Sequence, residues 1–140
     1  MTICSGIDTI EISRLAEIKP AIRERFIERV FTSRESAQAR DRNEVLSGLF
    51  AAKEAVSKAL GTGIGYVNWQ DIEILHLETG QPILILHGNA KKVAEQLGLT
   101  EWSVSISHDR NKAIALAVAI GDGSKQSHHD NDETLPDENA

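Results

Sequence analysis

One helix constrains this chain more than anything else in it. From Asn43, suited to cap a helix start, to about Leu60, apolar residues recur as Val45, Leu49, Ala52, Val56 and Leu60, and Gly61, Gly63 and Gly65 then end the run. A helix of this length spans about 27 Å, enough to cross a small domain, so the rest of the fold must be arranged around it. At 100° per residue Glu54 and Lys58 lie roughly opposite the apolar stripe and one turn apart, able to reach the same cleft. Taken alone, such a pair reads as an exposed ion pair worth a few tenths of a kcal/mol. It gains weight from Asp8, set in an early apolar strand, and from a late histidine, His108, because carboxylates and cations on elements built for burial need partners or ligands.

Around the helix the pattern is mixed. Ile3, Ile7, Ile10 and Ile12 mark an opening strand, apolar enough to read as buried, with Asp8 interrupting it. Pro20 separates a short turn over 14–18 from a helix over 21–30 carrying Ile22, Phe26 and Val30, and Thr32-Ser33-Arg34-Glu35 reads as a capping box opening another short helix. Trp69 to Leu77 and Pro82 to Leu86 flank Glu78-Thr79-Gly80-Gln81 as a β-hairpin, and Asn89 is placed to cap a helix closed by Gly98. In the next strand Trp102, Val104 and Ile106 alternate with Ser103, Ser105 and Ser107, and the turn 109–112 leads into the apolar strand 113–120. The expected fold is α+β, an antiparallel sheet packed around the long helix, in one domain over residues 1–121.

The 140 residues allow one core, burying roughly 68–70% of the surface of the unfolded chain. The net charge of −6 is uneven: six acids fall within 122–140 against Lys125 alone, whereas 14–42 holds eight bases and five acids. Residues 122–140 therefore read as an acidic, disordered tail; His128, His129, Asp130 and Asp132 within it read as solvated residues rather than a metal site. The basic stretch is either a solvated helix surface or a docking face for an acidic partner. Nucleic acid is disfavoured, since the tyrosine and both tryptophans lie outside it. No apolar run approaches the ~20 residues of a membrane helix, and no secretory leader pattern opens the chain, so a soluble cytoplasmic protein is expected. The single cysteine, Cys4, reads as a small core side chain.

Asp8 and Glu54 offer two hard oxygen ligands. That small set suits Mg²⁺, which keeps several waters and completes its shell with substrate phosphate; calcium would want more oxygens, and zinc more nitrogen or sulfur. Lys58 is placed to meet a phosphate or protonate a leaving group. Gly61 is explained by the helix stop, leaving Gly63 and Gly65 as weak candidates for close approach to a phosphate.

Gly6-Ile7-Asp8 with Glu11-Ile12 and Arg14-Leu15, the run from Phe50 to Gly63, Asp71-Ile72-Glu73-Ile74, Gly80-Gln81-Pro82 and Ser105-Ile106-Ser107-His108 stand in the order found in one family. On these residues the chain resembles the holo-[acyl-carrier-protein] synthases, the short class of 4′-phosphopantetheinyl transferases, from Ile3 to Ile120. The resemblance implies transfer of 4′-phosphopantetheine from coenzyme A to a serine of an apo acyl carrier protein, with fatty-acid synthesis as the default pathway. It implies Mg²⁺ held by Asp8 and Glu54, catalysis by these two and Lys58, and coenzyme A contacts from Lys58, Gly61, Gly63, Ser105, Ser107 and His108. It also implies a homotrimer with coenzyme A between subunits, and carrier contacts from Arg14 and the following helix, to which Arg23 and Arg25 are added. Two other readings compete: a module that binds coenzyme A or an acidic partner without turnover, and a structural trimer whose polar groups are interfacial ion pairs.

Overall fold

A computed structural model describes residues 1–124. The tail expected from 122 onward, with His128, His129, Asp130 and Asp132, lies from Lys125 outside the described residues. The elements run β1 (Thr2–Glu11), α1 (Ser13–Glu17), α2 (Pro20–Val30), α3 (Ser33–Ala39), α4 (Asn43–Leu60), a 3-10 turn (Trp69–Asp71), β2 (Ile72–His76), β3 (Pro82–Leu86), α5 (Gly88–Gln96), β4 (Leu99–His108) and β5 (Lys112–Gly121). β1, β5 and β4 form an antiparallel sheet in that order, and β2 and β3 a separate antiparallel hairpin. The α+β architecture is as expected.

Helix α4 lies across the inner face of the three-stranded sheet. Ala113, Ala115, Ala117 and Ala119 alternate inward along β5 and are buried, as are Ala51, Ala52, Ala55 and Ala59 on the helix, so two rows of small side chains let the layers come close. Contact is closest at Gly6, where a Cβ would fall 1.9 Å from the carbonyl oxygen of Ala55. Larger side chains fill the remainder of the core, among them Leu46, Leu49, Val56, Ile72 and Ile74, with Cys4 packed at its margin.

Four local expectations are corrected. β1 is buried on one face only: Ile3 and Ile7 are 62% and 55% exposed, because alternate residues of a strand point to opposite sides and only one side meets α4. Asn43 is the first residue of α4 and Arg42 its N-cap; the Asn43 Oδ1 accepts hydrogen bonds from Arg23 instead. Asn89 does not cap α5, which has His87 at that position, and its Nδ2 donates to the carbonyl of Tyr66. The stretch from Trp69 begins as a 3-10 turn, closed by a reciprocal Asn68–Asp71 cap, before the strand starts at Ile72. The Thr32–Glu35 capping box and the left-handed Gly61 at the end of α4 match the sequence reading.

Candidate active site

Asp8 sits on β1 between Gly6 and Ile10, on the side that faces α4. The close approach at Gly6 brings the solvent edge of the helix to it. Lys58 Nζ donates to the carbonyl of Ile7 at 3.0 Å and to Asp8 Oδ1 at 3.2 Å. The lysine side chain is 51% exposed and that of Asp8 23%, so this ion pair contributes at most about 1 kcal/mol and exchanges readily for a competing anion. Glu54, one turn earlier and partly buried, has its carboxyl held above the ordinary value of 4.5, first by burial and then by the negative charge of Asp8, with Lys58 opposing. Asp8 of β1 and the Glu54–Lys58 pair of α4, distant in the chain, thus form one electrostatic unit.

A carboxylate whose protonated form is favoured partly by a second carboxylate's charge marks a place where a divalent cation relieves the repulsion. Among the described residues no cluster of three or more His, Cys, Asp or Glu occurs, so the donor set here is two carboxylates. Such a pair fits Mg²⁺ with water and phosphate oxygens in its other positions. Beyond Lys58 the helix ends at Gly61, φ 77°, whose N–H donates to the Lys58 carbonyl, and Gly63 follows at φ 61°. A Cβ at either position would meet nothing within 4 Å, so the space before this loop is open.

The other expected contacts lie elsewhere. Ser105 pairs with Leu116, and Leu116 with Ile7; Ser107 pairs with Ile114, and Ile114 with Thr9. Both serines therefore occupy the outer face of the sheet, opposite Asp8, and His108 lies at the end of β4 beside a hollow bounded by Thr9, Ser107 and Lys112. Within one protomer they do not join Asp8, Glu54 and Lys58. Arg14 and Arg25 are exposed. Arg23 is engaged: its guanidinium donates to Asp41 Oδ1 at 2.6 Å, to the Asp41 carbonyl at 3.0 Å and to Asn43 Oδ1 at 2.8 Å. A large cavity of about 940 Å³ borders α2 and is lined by none of the three central residues.

The sequence reading missed a buried ionic network beside the site. Lys53 is fully buried; its Nζ meets Glu35 Oε1 at 2.7 Å, the Trp69 carbonyl at 3.0 Å and the Ile72 carbonyl. Burial pushes its pKa below the ordinary 10.5 while Glu35 and then Glu73 oppose the shift. Glu35 also accepts from the N–H groups of Thr32 and Ile74, joining α3 to β2. A signal was present: Leu49, Lys53 and Val56 stand at helical spacing on the apolar stripe.

A model of the 4′-phosphopantetheinyl transferase superfamily matches residues 5–119. The holo-[acyl-carrier-protein] synthase of Natranaerobius thermophilus is 45% identical over 125 residues, covering 87% of this chain and all of the relative. The crystal structure of the Helicobacter pylori holo-[acyl-carrier-protein] synthase in complex with coenzyme A superposes with a TM-score of 0.75 at 33% identity, covering 83% of this chain and 99% of that one. The corresponding Bacillus anthracis synthase, in complex with coenzyme A (3′,5′-ADP), gives 0.67 at 35% identity, covering 86% and 96%.

Proposed function

The chain belongs to the 4′-phosphopantetheinyl transferase superfamily, and we propose that Asp8, Glu54 and Lys58 carry its reaction, that of a holo-[acyl-carrier-protein] synthase. The enzyme transfers the 4′-phosphopantetheine group from coenzyme A to a serine hydroxyl of an apo acyl carrier protein, the modification that fatty-acid synthesis requires, and releases adenosine 3′,5′-bisphosphate. The observation that carries the assignment of residues is the convergence of Asp8 with Lys58, 50 positions away, and with Glu54.

Asp8 and Glu54 would hold Mg²⁺, which when bound neutralises charge on the pyrophosphate oxygens. The serine oxygen forms a bond to the phosphorus adjoining pantetheine as the bond from that phosphorus to the bridging oxygen breaks, and the serine proton passes to water or to a carboxylate of the site. Lys58, already a donor toward Asp8 and half-exposed to solvent, stabilises or protonates the departing phosphate. The nucleophile belongs to the carrier, so no serine relay is needed in this chain. The open space before Gly61 and Gly63 admits the coenzyme close to the backbone.

The outer face of the sheet supports assembly as a homotrimer. Ile3, Ile7, Ile114 and Leu116 are all at least 40% exposed, and Ile7 and Leu116 are cross-strand neighbours, a contiguous apolar surface that a second copy would cover. Ser105, Ser107 and His108, which border this surface, would then serve a neighbour's coenzyme A rather than their own protomer's. Arg14 and Arg25 present exposed cations to an acidic carrier helix, and Arg23 acts by holding α2 in place. No helix among the described residues is long and apolar enough to cross a membrane.

The test is to incubate the protein with coenzyme A, Mg²⁺ and an apo bacterial acyl carrier protein and to weigh the carrier. Gain of one phosphopantetheine is expected, lost in Asp8→Ala and Glu54→Gln. No gain, or Asp8→Ala binding Mg²⁺ and coenzyme A as the parent does, overturns the reading.

A further inference from the structure

Helix α2 packs on α4 through the Phe26 ring, 5.4 Å from that of Phe50, and buries Val30 at its C-terminal end. The large cavity separates one side of it from α3, and a second, apolar cavity opens on its other side between Ile22, Phe26, Leu15 and Phe50. The element it packs against most is the 3-10 turn. The hydrogen bonds of that contact come from Gln70, whose Nε2 donates to the carbonyl of Glu28 at 2.8 Å and of Phe31 at 3.1 Å, and reaches that of Arg29 at 3.5 Å. These are carbonyls at the C-terminal end of α2, which have no partners within the helix, and the two hydrogens of a primary amide suit them. In the first half of the helix, the Arg23 clasp on Asp41 and Asn43 is the other side-chain polar tie among the described residues.

The turn carrying Gln70 is itself gripped by α4. Lys53 Nζ donates to the carbonyls of Trp69 and Ile72, on either side of Gln70, and the Trp69 ring stacks on Phe50 of α4 at 4.8 Å. Lys53 immediately precedes Glu54. A continuous chain of contacts therefore runs from the C-terminal end of α2 through Gln70 and the turn to the helix that carries Glu54 and Lys58.

We infer that Gln70 is a positioning residue for the transfer reaction: its side-chain amide pins the carrier-docking helix α2 to the turn anchored on α4, setting where the carrier's serine arrives relative to Asp8, Glu54 and Lys58. The inference rests on the reading of α2 as a docking face. Gln70 touches neither substrate; it acts by fixing in advance the surface that the carrier must meet.

The full chain carrying Gln70→Ala is assayed with coenzyme A, Mg²⁺ and an apo bacterial acyl carrier protein. The expected result is a KM for the carrier raised about fivefold, with kcat at saturating carrier and KM for coenzyme A within about twofold of the parent. Backbone amide exchange should quicken in the C-terminal half of α2 and stay slow in α4. Gln70→Glu, which keeps the shape but sets a carboxylate against carbonyl oxygens, is expected to be at least as impaired; a role in packing alone would leave it close to the parent. Arg25→Glu reports on the docking surface independently. If it raises KM for the carrier while Gln70→Ala does not, the inference fails and the docking reading stands. If Arg25→Glu and Arg14→Glu both leave KM unchanged, the docking reading fails and takes the inference with it. A parallel decline of kcat and of coenzyme A affinity in Gln70→Ala would mark a general structural role and overturn it as well.

Discussion

Lys58 Nζ lies 3.2 Å from Asp8 Oδ1, joining the last turn of α4 to the middle of β1. With the pair half in solvent, its contribution to stability is small. Replacing Lys58 by Met is therefore expected to leave the midpoint of thermal unfolding within a few degrees of the parent. The kcat is expected to fall by about 10²-fold or more if Lys58 has the proposed role, in which the cation acts on charge that develops only as the phosphate departs. Lys58→Arg, which keeps the charge, should recover part of the rate. Steady-state kinetics at saturating coenzyme A and carrier decide it; a loss confined to KM would show that Lys58 contributes only to binding.

Glu54 titrates above 4.5, raised by burial and by Asp8 and lowered by Lys58. Each neighbour has a definite sign. Asp8→Asn removes a negative charge and is expected to lower the Glu54 midpoint; Lys58→Met removes a positive one and is expected to raise it. At the proposed metal site Mg²⁺ would compete with the proton, so its affinity is expected to weaken as pH falls through the raised value, at a higher pH than an unperturbed carboxylate would give. Carboxyl ¹³C NMR of the labelled protein follows the titration directly. A midpoint unmoved by Asp8→Asn would mean that the two carboxylates do not share a site.

At Gly6 a Cβ would fall 1.9 Å from the Ala55 carbonyl oxygen and 2.9 Å from the Ala59 nitrogen, both backbone atoms that cannot rotate aside. Gly6→Ala must push β1 away from α4. Destabilisation of about 1–3 kcal/mol or more is expected in urea unfolding. Because Asp8 is two residues further along the same strand, turnover of the folded fraction should fall too. Full activity in a destabilised variant would show that the strand restores the Asp8–Lys58 distance after local adjustment.

These three residues also show what the sequence makes legible. Helical spacing sets Glu54 and Lys58 together, and the alternating β4 pattern puts its serines on one face, since both follow from local backbone geometry. The pairing of Asp8 with Glu54 rests on the chemistry of two hard oxygen ligands and on family resemblance, and the Asp8–Lys58 contact has no sign in the sequence, because the pairing of β1 with β5 and the crossing of α4 are long-range. The one-sided burial of β1 is hidden for the same reason: one strand's composition does not say how many of its faces another layer covers, and Ile3 and Ile7 read as apolar whether covered or open. Lys53 was passed over because lysines are usually solvated, although its place among Leu49 and Val56 required a buried partner. That partner, Glu35, was already assigned as a capping residue, and its second oxygen, bonded to the Ile74 N–H, gave no local sign.

The Lys53–Glu35 pair is wholly buried, with side chains at 0% exposure. Removing one member leaves an uncompensated charge in the core, so Lys53→Met or Glu35→Leu alone is expected to destabilise by about 3–5 kcal/mol. The double variant replaces both charges with apolar groups and is expected to be markedly more stable than the sum of the single effects predicts. Chemical unfolding of all four proteins in the cycle measures the coupling. Additive losses would mean that each residue acts through its backbone contacts and not through the other.

Glu73 is 2% exposed and accepts from Thr32 Oγ1, from Arg34 and from His87 Nε2 at 3.1 Å. Burial alone would raise its pKa, but the hydrogen bonds from Thr32, His87 and Arg34 and the charge of Arg34 outweigh it and hold the carboxyl below 4.5. In the unfolded chain the group takes up its proton first as pH falls, so the unfolded state binds more protons across that interval and folding stability rises with pH there. The contribution is complete above 4.5 and is lost as pH falls through the native value. Glu73→Gln is expected to be less stable than the parent by about 2 kcal/mol at pH 7, as befits bonds to a charged acceptor. Urea midpoints taken from pH 7 down to pH 3 should bring the two proteins together on the acid side. A gap that stays constant over this range would show that the three donors bind the amide as well as the carboxylate, and that the network stabilises through shape rather than charge.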